Sequence, residues 1–161
     1  MEPAQAIEVE VGDLQGILPI SRSGVARCVR RALESQGITR AEISVVIMDD
    51  AGIRSINKRC LGHDWETDVI TFPLSDPDQP TLAGELVISA QTAQETAREL
   101  GVEPESELAL YLVHGLLHLL GRDDQTPAGT AEMRAGEAEI LHALGPALIR
   151  GLAPEPGQIG D

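Results

Sequence analysis

The chain reads as a single α+β domain, with a small mixed β-sheet packed by helices around a central buried helix. Three observations predict this. The 161 residues are 42% hydrophobic and 24% charged, which suits one core and not a tandem of domains. Segments with the two-residue period of strands interleave with segments of helical period. Finally, Pro104 to Leu120 is apolar on nearly every side, as in a helix enclosed by its neighbours.

Taken in order, Ile7 to Val11 alternates apolar and acidic residues, the pattern of a half-exposed strand. Ser21 or Ser23 caps a helix with Val25, Cys28, Val29, Ala32 and Leu33 on its inner side, and Gly37 ends it. The β-branched run Ile43 to Met48 predicts a buried strand, after which Asp49 and Asp50 open a short helix through Ile53 and Ile56 to Arg59. Residues 60–67, CLGHDWET, have the composition of a loop; Val69 to Phe72 and Leu82 to Ser89 are strands separated by a turn from Pro73 to Pro80. Gln91 to Leu100 is a helix closed by Gly101, and Pro104 opens the central helix. Thr126-Pro127 starts a last amphipathic helix carrying Met133, Ile140, Leu141 and Leu144, weakened at Gly145-Pro146. Residues 1–150 are thus expected to form one domain, and the Pro- and Gly-rich residues 151–161 a disordered tail.

Acids outnumber bases 26 to 12, for a net charge of -14, which argues against holding nucleic acid in a general basic field. The charge is segregated, however: residues 21–60 carry eight Arg or Lys against four acids. Aromatic residues make up only 2% (Trp65, Phe72 and Tyr111), too few for a platform that stacks several bases. Cys28 and Cys60 form neither a disulfide framework nor a Cys-x-x-Cys pair, so a reducing cytosol is expected, with both thiols packing as small hydrophobes. The N-terminus lacks the basic-then-apolar order of a signal peptide, and the apolar run Leu108 to Leu120 is too short to span a bilayer. A soluble, cytoplasmic protein is expected.

His114 and His118 stand four residues apart on the most hydrophobic helix, which puts both imidazoles on one face, one turn apart, at metal-binding spacing. Gly121 lets the chain fold back just beyond them, where Asp123 or Asp124 can supply a third ligand. In the zinc-protease motif His-Glu-x-x-His a glutamate serves as general base; Gly115 takes that position here, which disfavours a peptidase. Zn²⁺ held by two histidines and a carboxylate still lowers the pKa of its water towards neutrality, so hydrolysis at a phosphorus or carbonyl centre is the natural chemistry.

The segment HGLLHLLGRDD (114–124) resembles the signature His-Gly-x-Leu-His-Leu-x-Gly-x-Asp-His of the YbeY family of metal-dependent endoribonucleases. INKRCLGHDWETDVITFP (56–73) is similar to the family's segment ending Pro-Thr-Asp-Val-Leu-Ser-Phe-Pro, and GELVIS (84–89) to its Gly-Asp-Ile-x-Ile-Ser strand. The resemblance implies one Zn²⁺ ion, cleavage of single-stranded RNA, and a role in ribosomal RNA maturation and ribosome quality control, with the ribosome or its small subunit as partner. It makes His114, His118 and Asp124 the metal ligands. Two departures stand out: Asp124 replaces the family's third histidine, and Leu61 its active-site arginine. Asp123 is then a loop cap or a support to the ligands, and the fallback ligand. Arg59, ahead of Lys58 and Arg122, is expected to supply the missing cation as a catalytic residue.

Other residues have plainer readings. His63, beside Asp64 and Trp65, is placed either to line the cleft or, more simply, as an exposed loop histidine, and His142 is a helix C-terminal one; Asp64, Glu66 and Asp68 resemble paired carboxylates for acid/base work, but Thr67-Asp68 reads better as organising the turn into the following strand. Two other functions stay open: a ribosome-assembly or binding factor with a structural metal and little nuclease activity, and a non-haem Fe(II) protein, although the strand-rich pattern of a barrel oxygenase is missing. For RNA to bind an acidic body, Arg27, Arg30 or Arg31 is expected to share a face with the metal site together with Lys58 and Arg59, forming a local positive groove.

Overall fold

Four strands and five helices follow one another in the computed structural model, which describes residues 6–76 and 78–155. They are β1 (Ile7–Asp13), α1 (Arg22–Ser35), β2 (Ala41–Met48), α2 (Asp50–Leu61), β3 (Val69–Pro73), β4 (Leu82–Ser89), α3 (Ala90–Leu100), α4 (Pro104–Leu119) and α5 (Pro127–Arg150). The sheet order is β1-β2-β4-β3. β1, β2 and β4 run parallel, and the β1-to-β2 crossover passes through α1 because a parallel pair cannot be joined by a tight turn. β3 pairs antiparallel with β4, from Val69 opposite Ile88 to Pro73 opposite Gly84, closing the far edge of a mixed sheet.

The pleat of β4 divides the core. Leu86 and Ile88 face the main cluster, with Ile43, Val45 and Ile47 of β2 and Leu108, Leu112 and Leu116 of α4. Val87, on the opposite face, packs with Ile70 and with Ile53 of α2 in a second, smaller cluster. Helices therefore cover both faces, and α4 is the buried helix that its composition predicts. It lies close to the sheet because glycines make room. A Cβ on Gly84 would collide with Leu119, and one on Gly115 would stand 2.8 Å from Leu86 Cδ2.

Local capping follows the sequence reading in detail. Of the two serines, Ser21 caps α1, accepting from Gly24 N–H at 3.0 Å. Asp49 caps α2 through Gly52 N–H at 2.7 Å, and Gly62, at φ 74°, ends that helix in the left-handed region. α5 continues through a kink at Gly145 to Arg150.

The expected disordered tail needs correction at its start. Leu152 is fully buried, and its carbonyl accepts the Ser21 N–H at 2.8 Å, so the chain beyond α5 closes over the start of α1. Residues 156–161 of that expected tail lie outside the described residues. Cys60 is another correction: Cys28 is buried, but Cys60 is exposed at the end of α2. Among the described residues, no helix is long and apolar enough to cross a membrane.

Candidate metal centre

α4 presents His114 and His118 on its less buried side, facing a turn that starts at Gly121. Gly121 has φ 92°, a conformation costly for any residue with a Cβ, and it reverses the chain beyond α4. The reversal brings Asp124 back over the histidines, 3.7 Å from His114 Nε2 and 4.0 Å from His118 Nε2. The two Nε2 atoms themselves lie 3.1 Å apart. A tetrahedral ion with bonds of about 2.0–2.1 Å keeps its donors roughly 3.3 Å apart, so these separations suit one small cation.

The neighbouring aspartate has different work. Asp123 accepts the Gln125 N–H at 2.8 Å, which shapes the turn, while Thr130 Oγ1 donates to the Asp124 carbonyl at 2.9 Å. Of the two acids after Gly121, Asp124 is therefore the one that groups with the histidines.

Glu137 completes the arrangement. Its Oε2 lies 2.7 Å from His114 Nδ1, and its side chain is only 16% exposed. The imidazole donates Nδ1–H to this carboxylate, which leaves the Nε2 lone pair aimed at Asp124 and His118. With Asp124 beside the two histidines and Glu137 behind His114, the surroundings of the site are anionic and favour a divalent cation. Sequence reasoning misses Glu137, since α5 carries three acids, Glu132, Glu137 and Glu139, and periodicity does not single out the one that meets α4.

The site opens into a cleft of about 590 Å³ lined by His114, His118 and Gln125, by residues of β3 from Val69, and by Asn57, Leu61, His63, Trp65, Thr67 and Asp68. Buried Asn57 organises the loop, donating from Nδ2 to the Trp65 carbonyl at 3.0 Å and accepting the His63 N–H at 3.2 Å on its own carbonyl. Asp64 is held by Arg54 at 2.9 Å, a contact that keeps its carboxyl below the ordinary carboxylate range. Asp68 accepts the Val69 N–H at 2.8 Å, the turn-organising role read from sequence.

Arg59 is exposed in the last turn of α2, two residues before Leu61, and is not among the residues that line the cleft. No described Lys or Arg lines it. Arg30 instead reaches the Ile7 carbonyl on β1, at the sheet edge opposite β3. For Arg30 the expected grouping with Lys58 and Arg59 about the metal site is thus not met, since it reaches β1 at one edge of the sheet while β3, at the other, lines the cleft. His63 is exposed in its loop and also lines the cleft, the two placements read for it from sequence, while His142 is exposed on α5.

Fold and site together define a small α+β protein in which two histidines and one carboxylate form a group that could hold a metal ion, open to a solvent-facing cleft. The chain belongs to the Endoribonuclease YbeY family, whose model matches residues 16–145. Endoribonuclease YbeY of Rhodopirellula baltica is 42% identical over 132 residues, covering 81% of this chain and 68% of its own. The protein of the same name from Moorella thermoacetica is 36% identical over 153 residues, 86% of this chain and 98% of its own. A solution structure of a Thermotoga maritima protein shares the fold, with a TM-score of 0.60 at 22% identity over 94% of this chain and 99% of that one.

Proposed function

We propose that this chain is a zinc-dependent endoribonuclease that cuts single-stranded RNA in ribosomal RNA maturation and ribosome quality control, working in the cytoplasm with the ribosome or its small subunit as partner. The observation that carries this reading is the convergence of His114, His118 and Asp124 at single-ion spacing in an open cleft. Membership in a family of endoribonucleases supplies the reaction class. A bound Zn²⁺ would supply Lewis acidity and a water acidified towards neutral pH.

The chain's own residues do the rest. His114, His118 and Asp124 hold the ion, and Glu137 fixes the His114 ring so that Nε2 is the donor atom. Gly115 packs on Leu86, so α4 brings no carboxylate to the place where zinc peptidases keep their base. Arg59 is proposed to approach the scissile phosphate from the rim, two residues from Leu61, and to offset charge that develops there. Arg59→Ala is then expected to lower the cleavage rate, and near-normal cleavage would remove it from the mechanism. Because no described cation lines the cleft, much of the hold on RNA is assigned to the ribosomal partner.

The test is metal content measured together with cleavage of single-stranded RNA for wild type, His114→Ala and Asp124→Ala. Both variants are expected to lose stoichiometric zinc and activity. An Asp124→Ala protein that keeps one zinc per chain would overturn the ligand assignment. The ends of the product identify the nucleophile, since a 2′,3′-cyclic phosphate reports attack by the RNA 2′-hydroxyl. The cation-free lining also favours a second reading, an assembly factor with a structural metal. In that case chelation would lower the melting temperature while RNA stayed uncut at every metal concentration.

A further inference from the structure

Residues 62–68 hold an aromatic pair out into solvent at the cleft. His63 and Trp65 stack nearly parallel, with ring centroids 4.5 Å apart and planes 9° from one another. Trp65 is nonetheless 55% exposed, so with one ring face against His63 the other is open. Leaving an indole in water forgoes hydrophobic burial, yet the loop is braced to do so. Buried Asn57 bonds the backbone of both aromatic residues, and the side chain between them, Asp64, is tied to Arg54. Both rings line the same cleft as His114 and His118, and that lining includes no described Lys or Arg to grip phosphates.

We propose that the His63–Trp65 pair is a nucleobase-stacking subsite, which takes one base of a single-stranded RNA on the open face of Trp65 and so sets the strand's position against the metal centre. The inference rests on the nuclease reading above for its substrate class and adds a residue-level determinant of binding. Stacking accepts any base, because every base has a π-face, and it holds larger purines more firmly than pyrimidines. It also requires an unpaired base, which gives the cleft a physical reason to prefer single strands to a duplex.

Trp65 is the chain's only tryptophan, so intrinsic fluorescence reports on this site alone. A short single-stranded RNA oligonucleotide is mixed rapidly with the zinc-loaded protein and fluorescence is read before turnover; cleavage of the same oligonucleotide is then followed for wild type, Trp65→Ala and Trp65→Phe. Saturable quenching is expected, and none with an abasic ribose-phosphate oligomer of equal length. Trp65→Ala is expected to raise KM by about tenfold or more with kcat changed less than about twofold, and Trp65→Phe to restore most of the loss. Unchanged fluorescence with an RNA that is bound or cut, or a wild-type KM in Trp65→Ala, would overturn the subsite and leave the nuclease reading standing. Quenching without cleavage would keep the subsite and sink the nuclease reading.

Discussion

At the scale of single residues, Glu137 fixes the His114 ring that is proposed to hold the ion. Its carboxylate, 2.7 Å from Nδ1, holds both the ring orientation and the tautomer. Glu137→Ala is therefore expected to weaken zinc binding by about 10- to 100-fold, and Glu137→Gln by less because the amide oxygen still accepts the Nδ1 proton. A competitive chelator titration checks this, and equal zinc affinity in all three proteins would remove Glu137 from the site. The two cysteines give a second expectation at this scale. Burial pushes the Cys28 thiol up to about 11, while Cys60 is exposed, so a thiol reagent at mildly alkaline pH should label one cysteine in the native protein and both after denaturation. A pKa raised in the folded state favours the folded, protonated form: the contribution is intact below the ordinary thiol value of 9.0 and is lost as pH rises towards 11. Urea midpoints that stay flat across that window in wild type, or fall equally in Cys28→Ala, would contradict this.

Legibility in sequence follows from how local each signal is. The histidine pair is visible because a helix puts residues four apart on one face whatever surrounds it. Glu137 meets His114 across 23 residues, and Asn57 meets Trp65 through a loop, so neither leaves a periodic trace. The aromatic pair is hidden for another reason: composition says only that aromatic residues are few, and not that a histidine and the one tryptophan are stacked at the same cleft.

Elements set where these residues meet. α4 reaches the sheet through Gly84 and Gly115, and the turn at Gly121 returns Asp124 to the histidines. Gly121→Ala places a Cβ in left-handed backbone and is expected to cost about 1–2 kcal/mol, with a parallel loss of zinc affinity as Asp124 is displaced. Denaturant unfolding with and without chelator separates the two effects, and a variant with unchanged stability and zinc affinity would show that the turn does not position Asp124. Element types and most boundaries are legible from periodicity and capping. The parallel pairing of β1, β2 and β4 is not, because it joins segments far apart in the chain and writes no local pattern. Leu152 escapes for a related reason: a Pro- and Gly-rich stretch reads as tail until the docking site beside Ser21 exists. Leu152→Ala is expected to destabilise by about 2–5 kcal/mol, measured by urea denaturation, and a loss well under 1 kcal/mol would return residue 152 to the tail.

For the whole molecule, the net charge of -14 and the cation-free cleft lead to the same expectation. RNA held by stacking and one metal ion releases few counterions, so log affinity should fall with log salt at a slope of magnitude below about 2. A slope near -5 would mean that several surface cations bind phosphates outside the cleft. The basic stretch at 21–60 is legible as a charge pattern, but Arg30 of α1 reaches β1, at the sheet edge opposite β3, because sheet order decides which edge a helix occupies. The central claim is that one zinc ion, held by His114, His118 and Asp124, makes this chain a nuclease. Its most direct test is cleavage of single-stranded RNA by chelator-stripped protein as Zn²⁺ is titrated back. Activity should be absent in strong chelator and return in step with one equivalent of zinc per chain; undiminished cleavage in strong chelator would contradict it.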